Sequence, residues 1–244
     1  MNRSVAGTAP VSATRRGPAT WIEWDNGARN LLDLEVTRAL VRALREADED
    51  SASSVIVLAG SVRTFCGGAD LAKLKATGTA REFAAEVIEL LGLVPLLRKP
   101  VLAAVRGDAL ASGFSIALLA DACVAADDAE LGTVEVAGGG WPMIAQVPVR
   151  HLLPAKLATY NLVTGRTFTA ARLAALGVLA GTAPSAEVDR HVQELAEAAA
   201  RSGATAATGR RALAELSVNA GYAADLDSAM AHFVAMLGPK EADA

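Results

Sequence analysis

Along the chain, short and continuously apolar runs alternate with longer amphipathic ones. Thr20 to Trp24 reads as a strand, and Asp33, after the loop Asp25 to Leu32, is placed to cap a helix. In that helix Val36, Leu40, Leu44 and Ala47 recur at helical spacing as far as Asp50. Val55 to Ala59 is unbroken aliphatic, the signature of a strand covered on both faces. A Gly67-Gly68 turn follows and opens into Ala69-Asp70-Leu71. Phe83, Val87, Leu90, Leu91, Val94 and Leu97 make a second helical stripe, which stops at Lys99-Pro100 because the residue before a proline avoids the α region. Val101 to Val105 is a second buried strand. It leads through Arg106-Gly107-Asp108 and Ala111-Ser112-Gly113 into a short apolar helix, Phe114 to Ala120, and a strand around Cys123 to Ala126. The unit of strand, glycine turn and helix occurs twice, which predicts an α/β architecture.

From Pro154 onward the pattern is almost wholly helical: Leu157 to Val163, Ala170 to Leu176, Val188 to Ala200, Thr205 to Leu216 and Leu226 to Leu237. The shift near Ala183-Pro184 divides the chain into a mixed core, 18–183, and a C-terminal helical region, 184–244. Residues 1–17 carry Arg3, Arg15 and Arg16 without the apolar stretch of a secretory signal, and are expected to form a flexible tail.

Composition narrows the possibilities. With 244 residues, 52% of them hydrophobic and 20% charged, the chain can build one large core, and with only 4% aromatics that core must rest on Ala, Val and Leu. A net charge of −4 gives no global attraction to nucleic acid or anionic lipid, so neither is expected as a partner. Cys66 and Cys123 stand far apart and alone, which supplies neither a disulfide framework nor a metal site. A reducing cytoplasm fits this usage. No apolar run reaches the roughly 18 residues of a membrane span, because Arg98, Lys99, Arg106, Asp108 and Asp121 interrupt the most hydrophobic third.

The two glycine turns are the most informative features. Each ends a buried strand and starts a helix, whose first N–H groups lack partners within the helix. If the turns lie side by side, the N–H groups of Ala69 and Ser112 can converge on one carbonyl oxygen, with the helix dipoles adding positive potential. Otherwise the glycines serve tight turns and nothing more.

The stretch Thr64-Phe65-Cys66-Gly67-Gly68-Ala69-Asp70-Leu71 resembles the signature of the crotonase, or enoyl-CoA hydratase/isomerase, family. Lys99 to Gly107, Asp121 to Ala126, Leu131-Gly132-Thr133-Val134-Glu135 and Leu162 to Arg166 continue the likeness in the family's order, over about Thr20 to Leu237. The resemblance implies a crotonase-like spiral of ββα units with a C-terminal helical region used in oligomerisation, as a homotrimer or a dimer of trimers. It also implies an acyl-CoA substrate and no separate cofactor, since coenzyme A enters as the thioester. Position by position, Ala69 and Ser112 would supply the oxyanion-hole N–H groups. Asp70 and Leu71 would lie along the adenine half of coenzyme A, with Arg29 and Leu31 near its pantetheine or phosphate arm.

The departures bear on the reaction. Hydratases of the family use two glutamates, whose positions fall at Ser115 and Glu135, and only the second is an acid here. Isomerases need an acid at the Glu135 position alone. The resemblance therefore implies that Glu135 takes a proton from C2 of a 3-enoyl-CoA and returns one at C4, with Val134, Val136 and Trp141 enclosing it and raising its pKa. Ser115, Trp141 and Met143 would line the acyl pocket. Within the family, hydration, decarboxylation or another enolate reaction remains open. Outside it stand a non-catalytic acyl-CoA-binding protein and a serine hydrolase built on Ser112 or Ser115, the latter lacking a nearby histidine or a G-x-S-x-G elbow. His151, His191 and His232 read as surface or interface residues, and Cys66 as packing.

Overall fold

A computed structural model describes residues 10–203, 205–217 and 221–237. Strand β1 (Val11–Arg16) runs antiparallel to β2 (Ala19–Trp24), and helix α1 (Leu34–Glu49) follows, capped by Asp33, which accepts the Val36 N–H at 2.9 Å. Strand β3 (Val55–Ala59) lies parallel to β2, after which β4 (Thr64–Cys66) leaves for a second sheet and helices α2 (Leu71–Thr77) and α3 (Ala80–Leu93) bring the chain back. The plan then repeats. Strand β5 (Val101–Val105) pairs with β3, β6 (Asp108–Leu110) pairs with β4, and α4 (Ser112–Leu119) returns. A third round consists of β7 (Ala122–Ala126), β8 (Glu130–Gly132), a 3-10 turn over Glu135–Gly138, and helices α5 (Gln146–Leu152) and α6 (Ala155–Thr164). Strand β9 (Phe168–Thr169), helix α7 (Ala170–Ala175), strand β10 (Gly181–Ala183) and helices α8 (Val188–Ala200), α9 (Thr205–Ser217) and α10 (Gly221–Leu237) complete the described chain.

The larger sheet has the order β1-β2-β3-β5-β7-β10 and the smaller β4-β6-β8-β9. Every residue of β3 and β5 is buried, as expected of central parallel strands covered on both faces. Each turn of the spiral thus places a long apolar strand in the first sheet and a three-residue strand in the second. The short strands escape a reading by periodicity, so the apparent strand-turn-helix unit is a strand-strand-helix unit.

One boundary differs from the sequence expectation. Residues 11–16, assigned there to a flexible tail, form edge strand β1 in full register with β2; residues 1–9 lie outside the described set. Beyond β10, which ends at Ala183, the described elements are helical and pack on the core. Val188, Val192 and Ala196 of α8 are fully buried, and Asp189 of the same helix binds Arg106 at 2.6 Å and Arg16 at 3.2 Å. Helix α9 is tied down by Arg210, which pairs with Asp121 at 2.7 Å and donates to the carbonyls of Val94, Pro95 and Leu97. Helix α10 packs against α3 and α5.

Candidate active site

Strands β4 and β6 are parallel neighbours, so the turns that follow them start side by side. Two glycines let them touch. Gly68 has φ +93°, and a Cβ there would lie 2.6 Å from the Ala111 Cβ; a Cβ on Gly113 would lie 2.4 Å from the Cys66 carbonyl oxygen. Between them Ala111 sits at φ 53°, ψ −124°, a region that residues with a Cβ rarely occupy, held by its N–H donating to the Gly132 carbonyl at 2.9 Å.

This contact decides where two N–H groups go. Leu32 donates to the Gly68 carbonyl and accepts from the Asp70 N–H, both at 2.8 Å, so the Ala69 N–H between them points the other way, as in any strand pairing. Ser112 is the first residue of α4. Among the described residues, neither the Ala69 nor the Ser112 N–H has a protein acceptor. The structure brings the two turns together, and both amides remain available to an outside oxygen.

Asn30 fixes the loop beside the first turn. It is fully buried at φ 44°; its Nδ2 lies within 3.2 Å of the carbonyls of Trp24 and Thr64 and donates to that of Phe65 at 2.8 Å, while its Oδ1 accepts the Asn26 N–H at 2.9 Å. The Arg29 carbonyl and the Leu31 side chain therefore lie against Gly67. Asp70 caps α2 by accepting the Lys73 N–H at 3.0 Å, and Leu71 is 70% exposed. Arg29, Leu31, Asp70 and Leu71 gather around one turn at the surface.

Glu135 begins the 3-10 turn after β8. Its Oε2 accepts the Val134 N–H at 2.9 Å, and its carbonyl accepts the Gly140 N–H at 2.9 Å, which folds the glycine loop back over it. Burial pushes its carboxyl above the ordinary carboxylate range, against the opposing effect of the backbone hydrogen bonds. The segment before it is clamped by Asn161, a residue the sequence reading passed over. Fully buried on α6, Asn161 accepts from the Thr133 N–H at 3.0 Å and the Thr133 hydroxyl at 2.8 Å, and donates to the carbonyls of Thr133 at 3.1 Å and Arg166 at 2.9 Å. The available signal was an amide side chain between Tyr160 and Leu162 in a mostly apolar helix.

Ser115 departs from its expected place in an acyl pocket. It has no exposed surface and its hydroxyl donates to the Ala145 carbonyl at 2.8 Å, so it ties the 141–145 loop to α4. Trp141 and Met143 of that loop line a cavity of about 400 Å³, together with residues of α5, α6 and α10. For a serine hydrolase Ser115 is a poor nucleophile, because its buried hydroxyl is committed to the Ala145 carbonyl. Cys66 is buried with its thiol pushed up to about 12 by desolvation, which leaves it inert as a nucleophile. Among the described residues no helix is long and apolar enough to cross a membrane.

Comparison with known proteins adds an independent line. The profile of the family described as enoyl-CoA hydratase/isomerase matches residues 20–233. A probable enoyl-CoA hydratase of Mycobacterium bovis is 29% identical over 205 residues, covering 83% of this chain and 78% of its own length. Among solved structures, a probable enoyl-CoA hydratase of Mycobacterium tuberculosis superposes with a TM-score of 0.84 at 26% identity, covering 94% of this chain and 96% of its own. A second structure of that same Mycobacterium tuberculosis protein, in its apo form, is described as an enoyl-CoA isomerase and gives a TM-score of 0.82 at 26% identity, covering 93% and 98%.

Proposed function

The chain belongs to the enoyl-CoA hydratase/isomerase family, and we propose that within it the chain shifts the double bond of an enoyl-CoA rather than adding water to it. The observation that carries this reading is the single carboxylate. Glu135 is a desolvated acid with a raised pKa, while the α4 position that holds a second acid in hydratases is Ser115, whose hydroxyl is spent on Ala145.

In this reading the thioester oxygen accepts hydrogen bonds from the Ala69 and Ser112 N–H groups. Removal of a proton from C2 of a 3-enoyl-CoA leaves a dienolate whose charge the two donors stabilise, by about 3 kcal/mol each on the usual scale of such donors. Ionised Glu135 takes that proton. The electron pair of the broken C2–H bond forms a C1–C2 double bond as the thioester oxygen gains charge. Protonated Glu135 then gives a proton to C4, where the C3–C4 π pair takes it up, the C1–C2 pair moves to C2–C3, and the oxygen's extra pair restores the thioester carbonyl. A carboxyl held above the ordinary range is a stronger base in the first half, and in the second the proton it carries passes to a dienolate carbon that is more basic still. Arg29, Leu31, Asp70 and Leu71 border the coenzyme A moiety, and Trp141 and Met143 the acyl chain.

Hydration is the second reading, because the Mycobacterium bovis relative named as a probable hydratase matches the chain over most of its length. It requires Glu135 both to activate the water and to deliver its proton. The test supplies 3-enoyl-CoA and 2-enoyl-CoA of equal chain length separately, follows bond migration and water addition by absorbance and mass, and repeats both with Glu135→Gln. Migration in the wild type that is lost in the variant, with little hydration in either, supports the isomerase; rapid hydration by the wild type supports the hydratase.

A further inference from the structure

The cavity beyond Trp141 and Met143 has a chemical polarity of its own. The loop carrying these residues starts at the glycine turn folded over Glu135, where Gly140 donates to the Glu135 carbonyl, and is fastened to α4 through Ser115 and Ala145. The loop thus joins the surroundings of Glu135 to the cavity that Trp141 and Met143 line. Its volume of about 400 Å³ falls within the size range of small-molecule sites. The walls near the loop are apolar: Met143, Val147, Leu162 and Ala229.

Polar and charged groups line the rest. Arg150 and His151 come from the last turn of α5, and His232 comes from α10. The one acid among them, Asp225, is already paired with His151 at 2.7 Å. His232 points Nδ1 at the Ser228 carbonyl at 2.7 Å, which leaves its other ring nitrogen free of that contact. Among the described residues no carboxylate pairs with Arg150. Apolar walls beside a guanidinium that no described carboxylate pairs are a local arrangement suited to an anion at the end of a hydrocarbon chain.

We infer that this cavity receives the distal end of the acyl chain and that Arg150 selects acyl-CoA esters whose chain ends in a carboxylate. The inference rests on the acyl-CoA reading of the site, yet not on which reaction follows binding. Apolar walls accept the methylenes, and the guanidinium fork accepts the terminal carboxylate with two N–H donors. The partly exposed position of the pair limits its strength to that of a solvated ion pair, so selectivity should be moderate and salt-sensitive.

The experiment is a calorimetric titration of the intact protein at low ionic strength with saturated, unreactive pairs: hexanoyl- against adipoyl-CoA, octanoyl- against suberoyl-CoA, and decanoyl- against sebacoyl-CoA. At one of these lengths the diacid ester is expected to bind at least about fivefold more tightly than its uncharged partner. That ratio should fall below about twofold in Arg150→Leu, recover in part in Arg150→Lys, and shrink as salt is added. Uncharged esters binding as tightly as diacid esters at every length, or a diacid preference unaltered in Arg150→Leu, would overturn the inference. Binding needs no proton transfer. A diacid preference without bond migration would remove the isomerase reading and leave this one standing, whereas migration without a diacid preference would do the reverse. Failure of every ester to bind would remove both.

Discussion

Gly113 and Cys66 approach so closely that a single methyl group on the glycine would lie 2.4 Å from the cysteine carbonyl oxygen. That contact seats the first turn of α4 on the end of β4 and sets the spacing between the Ala69 and Ser112 amides. Gly113→Ala should force the turns apart, lowering stability by about 1–3 kcal/mol in urea denaturation. If the amides act together on the thioester oxygen, kcat should fall more than KM rises, since their contribution grows as negative charge develops.

Ala111 supplies the opposite case. Its φ of 53° with ψ of −124° is natural to glycine and strained for alanine. Ala111→Gly should therefore raise stability by about 1 kcal/mol, because relief of backbone strain outweighs the added entropy of the unfolded chain. A melting temperature equal to or below that of the wild type would show that the alanine methyl contributes more by packing than it costs in strain.

Asn161 satisfies the backbone on both sides of the approach to Glu135. Asn161→Leu leaves the buried Thr133 N–H and carbonyl without this partner and removes the donor to the Arg166 carbonyl, which should cost about 3 kcal/mol. Asn161→Asp keeps the acceptor and loses the donor, and should lie between the two. If Asn161 orients Glu135, the aspartate variant should lose kcat at unchanged KM while remaining folded by circular dichroism.

The raised pKa of Glu135 makes a prediction about pH and stability. A carboxyl that ionises less readily in the folded state than in the unfolded one favours folding below its unfolded pKa, and that contribution is lost as pH rises through its folded pKa. Glu135→Gln does not titrate. The melting temperature of the variant relative to the wild type should therefore increase from about pH 4 to neutrality, starting near the ordinary glutamate pKa of roughly 4.3. The acid limb of kcat/KM should sit above that value.

Much of this fold could be read from residue order. The strands of the large sheet announce themselves where every residue is apolar, as at Val55–Ala59 and Val101–Val105, and α8 occupies its expected Val188–Ala200. The small sheet stayed hidden because three residues, such as Thr64–Cys66 or Asp108–Leu110, are too few to show a period. Strand β1 was hidden for a different reason: it is an edge strand with most of its side chains exposed, so its polar sequence looks like a tail. At the site, the glycines of the two turns were legible as turns. That Gly68 faces Ala111 and Gly113 faces Cys66 depends on the pairing of β4 with β6, which no local pattern encodes. Glu135 was found through resemblance alone, and Asn161 not at all, since a buried amide among apolar helix residues looks like any exposed polar position until its partners are known.

The most direct test of the enolate account follows a label at C2. A 3-enoyl-CoA deuterated at C2 should lose deuterium from that carbon on incubation with the wild type, with part of the label recovered at C4, as mass spectrometry and NMR would record. Glu135→Gln should bind the ester and retain the label at C2, with release slowed by about 10²–10⁴-fold. Release from the variant at the wild-type rate, or a wild type that leaves the C2 label in place while adding water to a 2-enoyl-CoA, would contradict it.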